Sequence, residues 1–383
     1  MANLYVWKCW VRRIVLFSVL LEVGSLAEAG DISFVHKVID ANGPRDPWAK
    51  MVGDIDGDGF ADIVMGGRSG PLVSYLYPSW TKVMIAEGGY ETVDGEIGDV
   101  DGDGDLDVIM GGVIWYENPR PKSDPAKASW KPHRIGIHRT HDLEAADLDG
   151  DGDLDVVTRD QSGFGNNTGN QIYLWRQDSP TSWVSRIVSC PHGEGLTVGD
   201  IDDDGDLDII IGGYWYENTK DIVNGTWKGH KFGDWHQDAV VKMADINQDG
   251  RADVVLTRSE GPYKLSWFEG PASTEESPWK ENIVDESLDF AHGIAIADVD
   301  NDGDPDIVTA EMHQSERDRV LVYLNGGNGL QWTRQVLSTK GSHNLQAADI
   351  GNDGDVDIVG ANWSGDYQPI EMWENGLSPG TNE

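Results

Sequence analysis

Gly98-Asp-Val-Asp-Gly-Asp-Gly-Asp-Leu-Asp-Val-Ile109 sets carboxylates at Asp99, Asp101, Asp103 and Asp107 around Gly104, between two apolar runs. Read as a loop, the stretch is D-x-D-x-D-G-x-x-D. A hard cation takes several oxygen ligands at about 2.3–2.6 Å, and alternate residues of a tight loop turn their carboxylates inward. The glycine permits the sharp bend. The spacing matches the first half of an EF-hand loop but closes early, with an aspartate at position 9 instead of a glutamate at position 12.

The stretch recurs six times. Its ligand positions are Asp54, Asp56, Asp58 and Asp62; Asp147, Asp149, Asp151 and Asp155; Asp200, Asp202, Asp204 and Asp208. They continue with Asp245, Asn247, Asp249 and Asp253; Asp298, Asp300, Asp302 and Asp306; and Asp349, Asp353 and Asp357. In the last copy Gly351 stands at position 3, so that loop is expected to be weak or empty. Successive first aspartates lie 45, 48, 53, 45, 53 and 51 residues apart. Short strands repeating at about 40–50 residues mark a propeller. Acidic turns kept only for solubility are the competing explanation, and they do not require a fixed ligand spacing.

The net charge of −38 over 383 residues follows from these loops, since 26 aspartates occupy positions 1, 3, 5 and 9. Such charges repel unless a cation sits among them, so the composition points to six or seven bound Ca2+ ions. No basic stripe exists to meet phosphates, which excludes nucleic acid as a partner.

Residues 1–29 read as a secretory signal: Lys8, Arg12 and Arg13, an apolar run Ile14–Leu21, and small residues at Ala27 and Ala29. Glu22 and the shortness of the run argue against a membrane anchor. No later stretch is apolar enough to span a bilayer, so the expected location is extracellular or periplasmic. Cys190 would be alone after processing, which leaves the metal loops as the staples of the fold.

Each repeat has the same order. A short apolar segment enters the loop. A buried strand leaves it, as in Asp107-Val-Ile-Met110 and Asp208-Ile-Ile-Ile211. An aromatic strand follows, as in Ile114-Trp-Tyr-Glu117 and Tyr214-Trp-Tyr-Glu217, then a fourth opened by Trp80, Trp130, Trp183, Trp227, Trp279 or Trp332. Four strands, A to D, make a blade. The chain opens on a D-like strand, Ile32–Ile39, and ends on a C-like strand at Trp373. The first strand is therefore expected to complete the seventh blade, making residues 30–383 one all-β, seven-bladed propeller. Most tryptophans are expected in the core between blades.

The loops resemble the FG-GAP/VCBS repeats of integrin α-subunit propellers and many secreted bacterial proteins. The Trp-Tyr-Glu-Asn stretches at 115–118 and 215–218 are similar to the propeller of aldos-2-ulose dehydratase, and seven-bladed propellers also occur among polysaccharide lyases. The resemblance implies Ca2+ loops and a propeller. Because one fold hosts many functions, it leaves function open.

Strand direction puts the metal loops and C–D loops on one face and the D–A and B–C loops on the other. On the second face, His141, His292 and His343 each stand six residues before a first aspartate, and His192 and His236 stand eight and nine before theirs. Arg68, Arg159, Arg258, Glu311, His313 and Trp363 follow strand B at offsets of 12 to 15. Asp142, Glu194 and Asp238 lie in D–A loops. Two or three of the histidines with a carboxylate suit one transition metal. Alternatively, a histidine serves as base in a β-elimination on a uronic acid or keto-sugar, with Arg159 or Arg258 neutralising the carboxylate. The alternative is that these histidines, which blades 1 and 2 lack, cap strand A or bond between blades as a feature of the repeat. The expected functions are a carbohydrate-binding module on this face, a lyase or dehydratase using the same residues, or an adhesive module for a protein partner.

Overall fold

Asp62, Asp107, Asp155, Asp208, Asp253, Asp306 and Asp357 each pair with the residue just before the first aspartate of their own loop: Gly53, Gly98, Ala146, Gly199, Ala244, Ala297 and Ala348. The acidic stretch is thus the hairpin connection between strands A and B, and its register is the same in every repeat. The structure is a computed structural model that describes residues 32–68, 70–91, 94–162, 168–274 and 276–377. The expected signal, 1–29, lies outside them.

Among the described residues there are 28 strands and no helix. They form seven antiparallel sheets of four. In blade 1, strands A to D are Pro47–Gly53, Asp62–Gly67, Leu72–Leu76 and Thr81–Ala86. The seventh blade takes its outer strand from the start of the chain: Phe34–Asp40 runs antiparallel to Ile370–Asn375. This closes the ring as the sequence predicts and removes the open edge between first and last blades. The molecule is a seven-bladed β-propeller.

Adjacent blades share apolar cores. Val64 and Leu72 of blade 1 pack with Met110, Tyr116 and Trp130 of blade 2. At the closure, Ile63, Val73 and Tyr75 of blade 1 meet Val359, Ile370 and Met372 of blade 7. Strand B is buried along its whole length in blades 2 and 4, which is why it reads there as an unbroken apolar run. Trp115, Trp215, Trp267 and Trp373 are at most 2 % exposed, so these tryptophans are core and not ligand platforms. Two stack on histidines of strand D, Trp115 on His133 and Trp215 on His230, and Glu117 and Glu217 hold those imidazoles at 2.8 and 2.9 Å.

Candidate functional site

Each acidic loop is wound around its first carboxylate. Asp99 accepts the backbone N–H groups of Gly102 and Asp103 on Oδ1 and of Gly104 on Oδ2, at 2.8, 3.1 and 3.0 Å. Asp107 accepts from Val100 on one oxygen and Asn118 on the other. These bonds fix the first and ninth carboxylates of the loop. Asp99, Asp101 and Asp107 bring one oxygen each within 4.8 Å of one another, as do Asp147, Asp149 and Asp155, and Asp200, Asp202 and Asp208.

The third-position oxygens fit a cation. Oδ1 of Asp101, Asp149, Asp202 and Asp300 is buried without a hydrogen-bond partner among the described residues. A buried carboxylate oxygen with no donor is costly, and a cation is the partner this all-oxygen geometry suits. Burial pushes the ninth-position carboxyls Asp107, Asp155 and Asp208 up to about 7, and crowding by neighbouring aspartates adds to it. Two loops differ. Gly351 supplies no ligand, and in the fifth loop Arg251 already pairs with Asp249.

The opposite face divides the histidines into two groups. His141 precedes strand A of blade 3 (Asp142–Ala146), His292 opens strand A of blade 6 (Ala291–Ala297), and His343 precedes strand A of blade 7 (Leu345–Ala348). They converge at the funnel axis. The His141 and His292 rings are 5.5 Å apart, and His292 and His343 stack at 4.1 Å. All three are buried. Glu194 of blade 4 approaches His141, with Nε2 to Oε2 at 3.7 Å, while Ser259 donates to its other oxygen. His141 Nδ1 lies 3.2 Å from Asp142 Oδ1, an ion-pair contact poorly aligned for a hydrogen bond. His292 Nδ1 is 3.1 Å from Asn344 Oδ1.

Electrostatics separate these imidazoles. Burial opposes a charge on His141, but Asp142 and Glu194 outweigh it and raise its pKa to about 10. Burial and the charge of His141 lower His292 to about 4. Burial lifts Glu194 to about 7 against the pull of His141.

Above this floor lies a cleft of about 330 Å³ walled by Trp48, Trp363, Arg68, Arg139, Glu260 and His343. Trp48 and Trp363 meet edge to face at 5.4 Å, and the Arg68 guanidinium lies 4.8 Å from the Trp48 ring centre. His313 supports Trp363 from the side, with ring centres 5.2 Å apart. Below the histidines, the funnel narrows onto Asp94, Glu96, Glu144 and Lys242, where Lys242 and Glu144 pair at 3.2 Å.

Several sequence expectations are corrected here. Arg159 is 2 % exposed, and its five N–H donors all go to carbonyls of Gly169, Pro191, Glu194 and Gly195. It fastens two loops and has no donor left for a ligand. Arg258 turns to Asp238 at 3.5 Å and to the Pro262 carbonyl, away from the cleft. Glu311 is fully buried between Arg317 and Arg319 and is a structural anchor. His192 and His236 do not join the ring of histidines. They line a separate hollow with Trp235 and Lys231, where His192 meets Ser162 and His236 meets Asp238. Arg139 and Glu260 in the cleft escaped the sequence reading. So did Glu96, Glu144 and Lys242, although each stands three residues before a first aspartate, and that shared offset was the available signal.

The family model described as FG-GAP-like repeat matches residues 54–110, 147–211, 245–309 and 298–360. The chain belongs to the FG-GAP-like repeat family. The matched segments run from the first acidic loop to strand B of blade 7. A search of curated proteins finds no match. Among solved structures, this FG-GAP-like propeller is similar to YCF48 from Cyanidioschyzon merolae, with TM-score 0.53 and 11 % identity over 89 % of this chain and 98 % of that one. It is also similar to BBS1N, solved in complex with ARL6DN and soaked with lead, with TM-score 0.57 and 10 % identity over 90 % and 97 % of the two chains. At that identity the likeness is one of fold. The family is consistent with a binding module.

Proposed function

We propose that this FG-GAP-like propeller is an exported, Ca2+-loaded module that binds a carbohydrate in the cleft of its D–A and B–C face. The observation that carries the reading is the Trp48–Trp363 pair, which walls a cleft with Arg68 and Arg139 at its rim. Both tryptophans are half-buried, unlike the core tryptophans. Aromatic faces stack on the apolar face of a sugar ring, while guanidinium groups recognise carboxylates in a forked geometry. The ligand class that matches both is an acidic sugar. Ca2+ in the acidic loops holds the opposite face rigid; the first, second, third, fourth and sixth loops carry full carboxylate sets, and the fifth and seventh are the weaker sites.

A second reading is favoured by His292, which lines this cleft and which burial and the charge of His141 keep neutral and free to act as a base. In a β-elimination, a base takes the proton next to the sugar carboxylate, a double bond forms and the carbon–oxygen bond to the leaving sugar breaks. Arg68 and Arg139 would then replace Arg159 and Arg258 as the groups that neutralise the carboxylate. The resemblance of the Trp-Tyr-Glu-Asn stretches to a dehydratase propeller supports the same reading.

Calorimetric titration of the Ca2+-loaded protein with oligogalacturonides and neutral oligosaccharides tests the proposal. Trp363→Ala is expected to weaken binding at least tenfold with little change in melting temperature. Binding unaffected by Trp363→Ala and Arg68→Ala, or no binding of any oligosaccharide, would overturn it. New ultraviolet absorbance during the titration, from the carbon–carbon double bond conjugated to the carboxylate of the product, would move the assignment to the lyase.

A further inference from the structure

We propose that His141, His292 and Glu194 form a site for one divalent transition ion of the zinc kind, distinct in chemistry from the acidic loops, with its open positions facing the Trp48–Trp363 cleft. Each of the three is at most 7 % exposed, and one donor atom from each lies within 4.8 Å of the other two. Ligands bound at about 2.0–2.1 Å from one ion are separated by roughly 3–3.7 Å. The 3.7 Å between His141 Nε2 and Glu194 Oε2 falls at the upper end of that span and is too long for a hydrogen bond.

The surroundings are those of oriented ligands. Asn344 Oδ1 sits on His292 Nδ1, which places the proton there and leaves Nε2 as the lone-pair nitrogen. Asp142 lies beside His141 Nδ1 as an ion-pair neighbour at 3.2 Å, and Asp142 is itself fixed by the Gly195 N–H at 2.8 Å. Ser259 holds one oxygen of Glu194 and leaves the other toward His141. A carboxylate or amide behind each metal-binding imidazole is the usual outer shell of such sites. Charge also closes: a doubly charged ion balances Glu194 and Asp142 with both histidines neutral, so the buried group is paired. Two imidazoles and one carboxylate select zinc and its first-row neighbours over calcium, which prefers oxygen ligands alone.

The three ligands come from blades 3, 4 and 6, so the ion would bridge the funnel. Both histidines also line the cleft, so the ion's remaining positions can take an oxygen of whatever binds there. That last step rests on the carbohydrate reading. The metal site itself does not.

The test is metal content and cobalt spectroscopy on the full chain. After removal of metal and reloading with Ca2+, titration with Co2+ is expected to give one equivalent bound, with visible d–d bands that Zn2+ abolishes. His292→Gln and Glu194→Gln are expected to lose the bands and weaken the site at least 100-fold while retaining the Ca2+ count of the parent. Asp142→Asn is expected to weaken it 10–100-fold. His236→Gln, in the separate hollow, is the control and should keep it. Near-ultraviolet circular dichroism of the tryptophans verifies folding, and His292→Asn serves if the Gln variant fails. No d–d bands, or bands unchanged in His292→Gln and Glu194→Gln, would overturn the proposal. Failure to bind sugars leaves this readout untouched.

Discussion

Asn118 of blade 2 donates its side-chain amide to the carbonyl of Ile55, 3.0 Å away in the acidic loop of blade 1, and to Leu106 in its own loop at 2.9 Å. Its backbone N–H meanwhile goes to Asp107. The same clip recurs from Asn218 to Leu148, Asn325 to Ile246 and Asn375 to Val299, and in blade 3 Gln177 takes the asparagine's place, reaching Val100 in the loop of blade 2. The asparagine of Trp-Tyr-Glu-Asn therefore ties each such blade to the loop of the one before. Asn118→Ala leaves two carbonyls without their donor in a buried seam. The expected cost is about 1–3 kcal/mol, read as a lower midpoint in urea. An unchanged midpoint would show that water replaces the clip.

The loops make a prediction of their own. Asp101 Oδ1 is buried with no donor, so Asp101→Ala removes a ligand if a cation is held there and relieves an orphaned oxygen if none is. With the cation, the variant is expected to bind one Ca2+ fewer per chain and to melt earlier in Ca2+ but not in chelator. Atomic emission on the dialysed protein and paired melts decide it. An equal Ca2+ count, with a melting temperature raised in both buffers, sinks the cation assignment for this loop.

The blades were legible because period and register are local. Asp107 opposes Gly98 wherever the loop has eight residues, and Val108-Ile-Met110 cannot be anything but a buried strand. The closure by Phe34–Asp40 followed from counting strands at the two ends. The site was legible only in part. His141, His292 and His343 share an offset of six and meet in one place, whereas His192 and His236, at eight and nine, are carried into another hollow by the longer lead of their loops. What no offset could show is the width of the funnel, which lets blade 3 touch blade 6 across the axis. Arg159 was misread for a related reason. Its offset of 12 is close to the 14 of Arg68, but the Gly169 and Pro191 carbonyls that absorb its donors, 10 and 32 residues on, are brought to it only by the fold.

Lys50 gives a pH signature. It is 1 % exposed in strand A of blade 1, with Nζ donating to the carbonyls of Pro47 and Trp48. Burial lowers its pKa to about 7, only partly offset by Asp94. The unfolded chain keeps the ordinary value near 10.5. Below pH 7 both states hold the proton, and burial of the charge destabilises the fold in full. Between about 7 and 10.5 the unfolded state binds the extra proton, so stability rises with pH, and above that range the penalty is gone. Lys50→Met removes the titrating group. The difference in unfolding free energy between parent and variant is therefore expected to move in the parent's favour from pH 7.5 to 9.5, by up to about 1.4 kcal/mol per pH unit. The check is urea unfolding of both proteins across that range in constant Ca2+. Parallel curves would mean that Asp94 keeps Lys50 charged throughout, and the pair would then be a buried ion bridge at the neck of the funnel instead of a neutral amine.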